Sequence, residues 1–135
     1  MIATDALAIL VISEPWVRLS PNSRSAEAYV QLRSTEGATL VAVRSDATAK
    51  IDIRRGATSR DSIEEIKLPP GETVLLAPGA DRFVLLGLYH PLKLGDYVGI
   101  VLTFMSADGD VREIPLNAEV RLRSPTDDHL RGHRH

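Results

Sequence analysis

Ala49-Lys50-Ile51-Asp52-Ile53-Arg54 alternates apolar and polar side chains without a break. Successive side chains of a β-strand point to opposite faces, so a period of two describes a strand with one face in a core and one in solvent. The same reading extends outward in both directions. Strand-like runs recur at 7–12, 16–19, 27–34, 39–44, 63–68, 73–76, 82–88, 97–105, 111–115 and 118–123. Between them stand turn formers: Pro69-Pro70-Gly71, Pro78-Gly79, Leu94-Gly95-Asp96 and Ala107-Asp108-Gly109-Asp110. Asp108-Gly109, flanked by two such runs, predicts a hairpin. Residues 98–104 are nearly all apolar and predict a strand buried on both faces. Residues 62–67 have the composition of a helical turn, which Leu68-Pro69-Pro70 would end. No stretch carries the period of an amphipathic helix. Many short strands with frequent turns predict an all-β sandwich or barrel.

The composition allows one soluble core. At 135 residues the length is that of a single domain, and 44% hydrophobic residues supply enough apolar surface to fill it. Residues 1–123 are expected to fold as that domain. Residues 124–135, polar and without a packing pattern, form a flexible C-terminal tail. A net charge of −2, with no basic cluster, argues against nucleic acid as a partner. The apolar run at 6–12 is too short to cross a bilayer, which takes about 20 residues, and it lacks the basic leader of a signal peptide. It reads as a first strand, with no membrane insertion.

The chemistry-bearing residues are few. There is no cysteine, which removes disulfides, thiolate metal sites and cysteine nucleophiles together. No nucleophile elbow, phosphate loop or dinucleotide fingerprint occurs, so an enzyme is not expected. His129, His133 and His135 stand close together in the tail beside Asp127 and Asp128. Neutral imidazoles so spaced can bind Cu(II), Ni(II) or Zn(II) without a preformed pocket, against the opposing charges of Arg131 and Arg134. His90, where a strand enters a turn, reads as a surface residue. Met105 reads as a core or edge side chain, and Trp16 and Tyr29 as packing residues.

Several segments, in order, resemble the PCuAC family of periplasmic copper chaperones (DUF461). Ser13-Glu14-Pro15-Trp16-Val17-Arg18 is similar to that family's first strand with its Trp-x-Arg, and Ala28-Tyr29-Val30-Gln31-Leu32-Arg33 to its second signature strand. Leu68-Pro69-Pro70-Gly71 resembles its Pro-x-Gly turn, and Ala77-Pro78-Gly79 the Pro-Gly before a ligand strand. Gly87-Leu88 followed by Pro91-Leu92-Lys93-Leu94-Gly95-Asp96 is the most specific stretch. The resemblance implies a cupredoxin-like Greek-key β-sandwich or barrel in the periplasm. It also implies copper as the cofactor, with copper-delivery or oxidase-assembly proteins as partners of a monomer or weak dimer.

The family holds Cu(I) through a His, a later Met and a His-x-Met pair, ligands that suit a soft ion. Aligned on this chain, Arg54 falls at the first His, and Arg82 and Val84 fall at the His-x-Met pair. The loop between holds no Met. Guanidiniums have no lone pair for a metal. The expectation is therefore a divergent member with a degenerate core copper site. The alternative is a binding or interaction module whose rim, Arg54, Arg55 and Arg82, takes an anionic ligand or partner. Against that stands a plain arrangement in which Arg54 and Arg82 are solvated or pair with Asp81, Glu64 or Asp52.

Overall fold

The computed structural model describes residues 9–20, 24–56 and 62–122. Ten strands follow one another in it: β1 (Leu10–Leu19), β2 (Ser25–Ser34), β3 (Ala38–Arg44), β4 (Thr48–Arg54), β5 (Ser62–Ile63), β6 (Ile66–Leu68), β7 (Thr73–Leu76), β8 (Arg82–Leu88), β9 (Tyr97–Met105) and β10 (Val111–Val120). Among the described residues there is no helix. The strands form one sheet in the order β5-β4-β8-β2-β1-β10-β9-β3-β6, with β7 paired to β2 next to β8. β5 and β6, neighbours in the chain, are the two ends of that order, so the sheet curls into a nearly closed barrel. Among the described residues only β1 and β10 pair in parallel, through Trp16–Glu119 and Val17–Val120. The all-β expectation holds.

Three strand expectations need correction. The break foreseen between 12 and 16 is a β-bulge inside one continuous strand. The β1–β2 register shifts between Ser13 and Trp16, and Glu14 takes a left-handed φ of 53°. A bulge admits the extra residues without ending the pairing. The run foreseen at 63–68 is split at Glu64 and Glu65, both exposed, into β5 and β6 rather than forming a helical turn. The two runs foreseen at 111–115 and 118–123 are one strand. Pro115 is tolerated within β10 because β1 joins only at Glu119 and Val120, leaving β10 bonded on one edge at that level. Residues 7, 8 and 123 lie outside the described residues.

β9 is also not buried on both faces. Val98, Ile100, Leu102 and Phe104 are buried, whereas Tyr97 and Gly99 are exposed and Val101 and Thr103 half-exposed. The inner set joins Val17, Ala26, Ala28, Leu32, Leu40, Ile53, Phe83, Leu85, Ala118 and Val120 in one core. The Asp108–Gly109 hairpin forms as expected. Gly109 N–H donates to the Ser106 carbonyl with φ at 89°, and β9 and β10 pair from Met105–Val111 to Tyr97–Glu119. The Leu94-Gly95-Asp96 turn is bonded to the end of β10: Gly95 N–H donates to the Val120 carbonyl, and Val120 N–H to the Asp96 carbonyl.

Candidate functional site

With Ile53, Phe83, Leu85, Ala28 and Val17 turned inward, the alternate residues of β4, β8, β2 and β1 share the outer face. Register places them in rows. Asp52 on β4 stands opposite Val84 on β8, Val84 opposite Glu27 on β2, and Glu27 opposite Arg18 on β1. In the next row Arg54 stands directly opposite Arg82, and Tyr29 opposite Trp16. Positions 54, 82 and 84 therefore adjoin on one face of two paired strands.

The side chains on this face form a layer of ion pairs. Arg82 is buried, at 8% exposure, although charged. Its Nε lies 3.2 Å from Glu27 Oε2, and its Nη1 donates to the Gly56 carbonyl. Arg18 Nη2 meets the other oxygen of Glu27 at 3.2 Å, and the Tyr29 hydroxyl donates to that oxygen as well. One carboxylate thus joins β1, β2 and β8. Burying a charge costs far less when it is paired and hydrogen-bonded, which is what Glu27 provides for Arg82. In the adjoining row Trp16 and Tyr29 pack at 4.7 Å between ring centroids, with the Arg18 guanidinium 5.5 Å from the Tyr29 centroid. Burial pushes the Tyr29 phenol above its usual range, and the Glu27 hydrogen bond and charge push it further.

The other half is built on Asp52. Arg54 Nη2 lies 3.3 Å from its Oδ2 and Lys50 Nζ 3.4 Å from its Oδ1. Desolvation alone would raise the Asp52 carboxyl. The hydrogen bond from Arg54, the charge and hydrogen bond of Lys50, and a hydrogen bond from Ser62 outweigh it, holding the group below 3.8. A depressed carboxyl stabilises the fold above its unfolded value and loses that contribution as pH falls through the folded one. Asp52→Asn is therefore expected to be less stable than the parent by a constant amount above about pH 5. The gap should close as pH falls below the ordinary value near 4. Denaturant midpoints of both proteins across that range check this, and a gap that widens on acidification would contradict it.

The remaining expectations fall as follows. Arg54 finds one foreseen partner, Asp52, while Asp81 instead accepts the Gly56 N–H at 3.0 Å and Glu64 is exposed. Arg55 is exposed and, with Glu64, Glu65, Lys67 and Asp81, lines a hollow of about 1010 Å³ beside the face. His90 is exposed, Trp16 and Tyr29 are buried, and Met105 lies half out at the end of β9. Among the described residues, no three His, Cys, Asp or Glu side chains are grouped as a metal site. His129, His133 and His135 lie outside the described residues. Glu27 and Arg18 are the members of this ion-pair layer that sequence reasoning did not single out. The signals for them were polar residues at alternate positions of two strands and, for Arg18, its place in the Trp-x-Arg of the first strand.

Comparison with known proteins places this geometry. The fold matches the apo PCuAC domain from PmoF1 with a TM-score of 0.70, at 24% identity over 82% of this chain and 92% of that one. It matches the copper-bound PCuAC domain from PmoF2 with a TM-score of 0.69, at 21% identity over 89% of this chain and 98% of that one. A third match is CuI-DR1885 from Deinococcus radiodurans, with a TM-score of 0.62 at 23% identity, over 84% and 76% of the two chains. These likenesses establish the cupredoxin-like fold. In sequence, the chain is 26% identical over 113 residues to the "Putative lipoprotein Lxx21020" of Leifsonia xyli subsp. xyli (strain CTCB07), covering 78% of this chain and 68% of that protein. The family described as "Putative lipoprotein LpqE-like" matches residues 10–120, from the first residue of β1 to the last of β10. The chain belongs to the LpqE-like family.

Proposed function

We propose that this chain is an extracytoplasmic accessory protein, related by fold to copper chaperones, that does not hold Cu(I) within its barrel. The family description as a lipoprotein supports the location. One observation carries the rest: Arg82, at an aligned ligand position, is buried with its guanidinium committed to Glu27 and the Gly56 carbonyl. The donor set at positions 54, 82 and 84 is two guanidiniums and an isopropyl group, none of which offers a lone pair to a soft cation. The residues do not fit copper there. Copper handling, with delivery or oxidase-assembly proteins as partners, then runs through His129, His133 and His135 of the 124–135 tail, and residues 1–123 serve as the scaffold.

The test is copper titration of the full chain against a variant with all three tail histidines changed to alanine. Uptake by the parent that disappears in the variant is expected. Unchanged uptake of Cu(I) by the variant would place the ion in the barrel and end this reading.

A second reading, in which the arginine-bearing rim of Arg54, Arg55 and Arg82 takes an anion, is favoured by one specific observation. The Nε of Arg54 is buried and makes no hydrogen bond. A buried donor left unsatisfied costs about 1–3 kcal/mol, and an anion would recover that cost once the Arg54 side chain turned outward to bring the nitrogen to the surface.

A further inference from the structure

The charges on the β4-β8-β2-β1 face are unequal in number and in depth. Arg18, Lys50, Arg54 and Arg82 are cationic, and Glu27 and Asp52 are anionic, which leaves an excess of two positive charges on a chain whose net charge is −2. Neighbouring charges do not remove the excess. Glu119 and Arg121 form an ion pair at the β10 side, Glu14 and Arg33 offset each other in number further along β1 and β2, and the hollow at the rim, with Arg55 and Lys67 against Glu64, Glu65 and Asp81, takes away one of the two charges. Arg54 and Arg82 lie as deep as the carboxylates, and the two outermost charges are cations at opposite sides of the face, Arg18 at 45% and Lys50 at 70% side-chain exposure against 30% for Glu27 and 12% for Asp52. Water and any partner meet cations first.

We infer that this face docks an acidic segment of a partner protein, with carboxylates received by Arg18 at one side and by Lys50 and Arg54 at the other. The inference rests on the second reading above and names its ligand class. Spacing supports a segment over a single small anion. β1 and β4 are separated by β2 and β8, so the two cationic sides stand about three strand spacings, or roughly 14 Å, apart. One carboxylate or phosphate does not bridge that distance, while a few residues of extended chain do. Discrete carboxylates also suit the face better than a lipid surface does. Glu27 and Asp52, set between the cations, would meet a continuous plane of phosphates unfavourably, and a membrane-binding patch usually carries four or more basic residues without such interruptions. Guanidiniums favour carboxylates through paired N–H donors.

The experiment titrates the full chain with a fluorescein-labelled peptide of alternating Glu and Ser, followed by anisotropy at low and physiological salt. The fluorescence of Trp16, the only tryptophan, is read alongside. Saturable binding is expected, weakened roughly tenfold by Arg18→Gln with Lys50→Gln and reduced by salt, since the contacts are between exposed charges. Arg44→Gln is the control. Arg44 is equally exposed and ion-paired, to Glu113, on the far side of the barrel, and its loss should leave binding unchanged. Absence of peptide binding, or an equal loss in the Arg44 variant, overturns the inference. Citrate, titrated against Trp16 fluorescence, separates the two levels. A saturable citrate response without peptide binding removes the acidic segment and keeps the second reading, and silence from both removes both. Binding to phosphatidylglycerol vesicles that the double variant abolishes, in the absence of peptide binding, assigns the face to lipid and equally defeats the inference.

Discussion

Arg82→Met is expected to lower stability by about 3 kcal/mol, a fall of roughly 10 °C in Tm for a domain of this size. Methionine fills much of the arginine stem's volume, so the cost is chiefly electrostatic. It removes the cation against Glu27 and the donor to the Gly56 carbonyl. Breaking one side of a fully buried pair costs about 3–5 kcal/mol. The lower end applies because Glu27 is partly exposed and keeps Arg18 and Tyr29. The sign of the double variant tests the cause. With Glu27→Gln added, the half-buried carboxylate goes with its buried partner, and the only charge left without its ion pair is Arg18, which is 45% exposed to water, so a good part of the lost stability should return. Chemical denaturation of the parent, both single variants and the double variant gives the coupling directly. A double variant whose loss equals the sum of the singles would mean that the pair contributes nothing and that Arg82 is held by its packing and its bond to the Gly56 carbonyl.

That pair also marks where reading from sequence stopped. Arg54 and Asp52 lie two apart on one strand, so their shared face follows from alternation, and their ion pair was within reach. Arg82 and Glu27 lie on strands far apart in the chain. Their meeting depends on β8 pairing with β2 in the register Val84–Glu27, and a slip of one residue would turn Glu27 into the core. Nothing local specifies that register. The same limit explains why Arg82 was expected at a solvated rim, whereas it is buried.

The strand errors have local causes. Pro15 and Asn117 are residues that strands disfavour, and each falls in a gap between two of the foreseen runs. Both are carried by pairing on either side: Gln31 Nε2 donates to Glu14 at the β1 bulge, and Asn117 sits opposite Gly99 in an unbroken β9–β10 ladder. Turns were read more securely, because Asp108-Gly109 and Leu94-Gly95-Asp96 supply the left-handed glycine that those turns need, at φ of 89° and 91°. Punctuation written into the backbone is visible locally. Pairing partners are not.

Leu102→Ala is expected to cost about 2–5 kcal/mol, while Val101→Ser beside it costs under about 1 kcal/mol. Composition gives no reason for the difference, since both are branched aliphatic residues in one apolar run. Pleating gives one. Leu102 is fully buried, opposite Ile114 on β10 and Val43 on β3, both packed against the core. Alanine there leaves a cavity that the rigid ladders on both sides of β9 keep from collapsing, which places the loss in the upper part of the range. Val101 points the other way, opposite Pro115 and Arg44 on the outer face, where serine loses little contact and gains water. Denaturant unfolding of the two variants checks the contrast. Similar large losses at both positions would return β9 to the two-sided burial that its composition suggests. They would also require the outer face of β3, β9 and β10 to be covered in solution by something that removes Val101 from water.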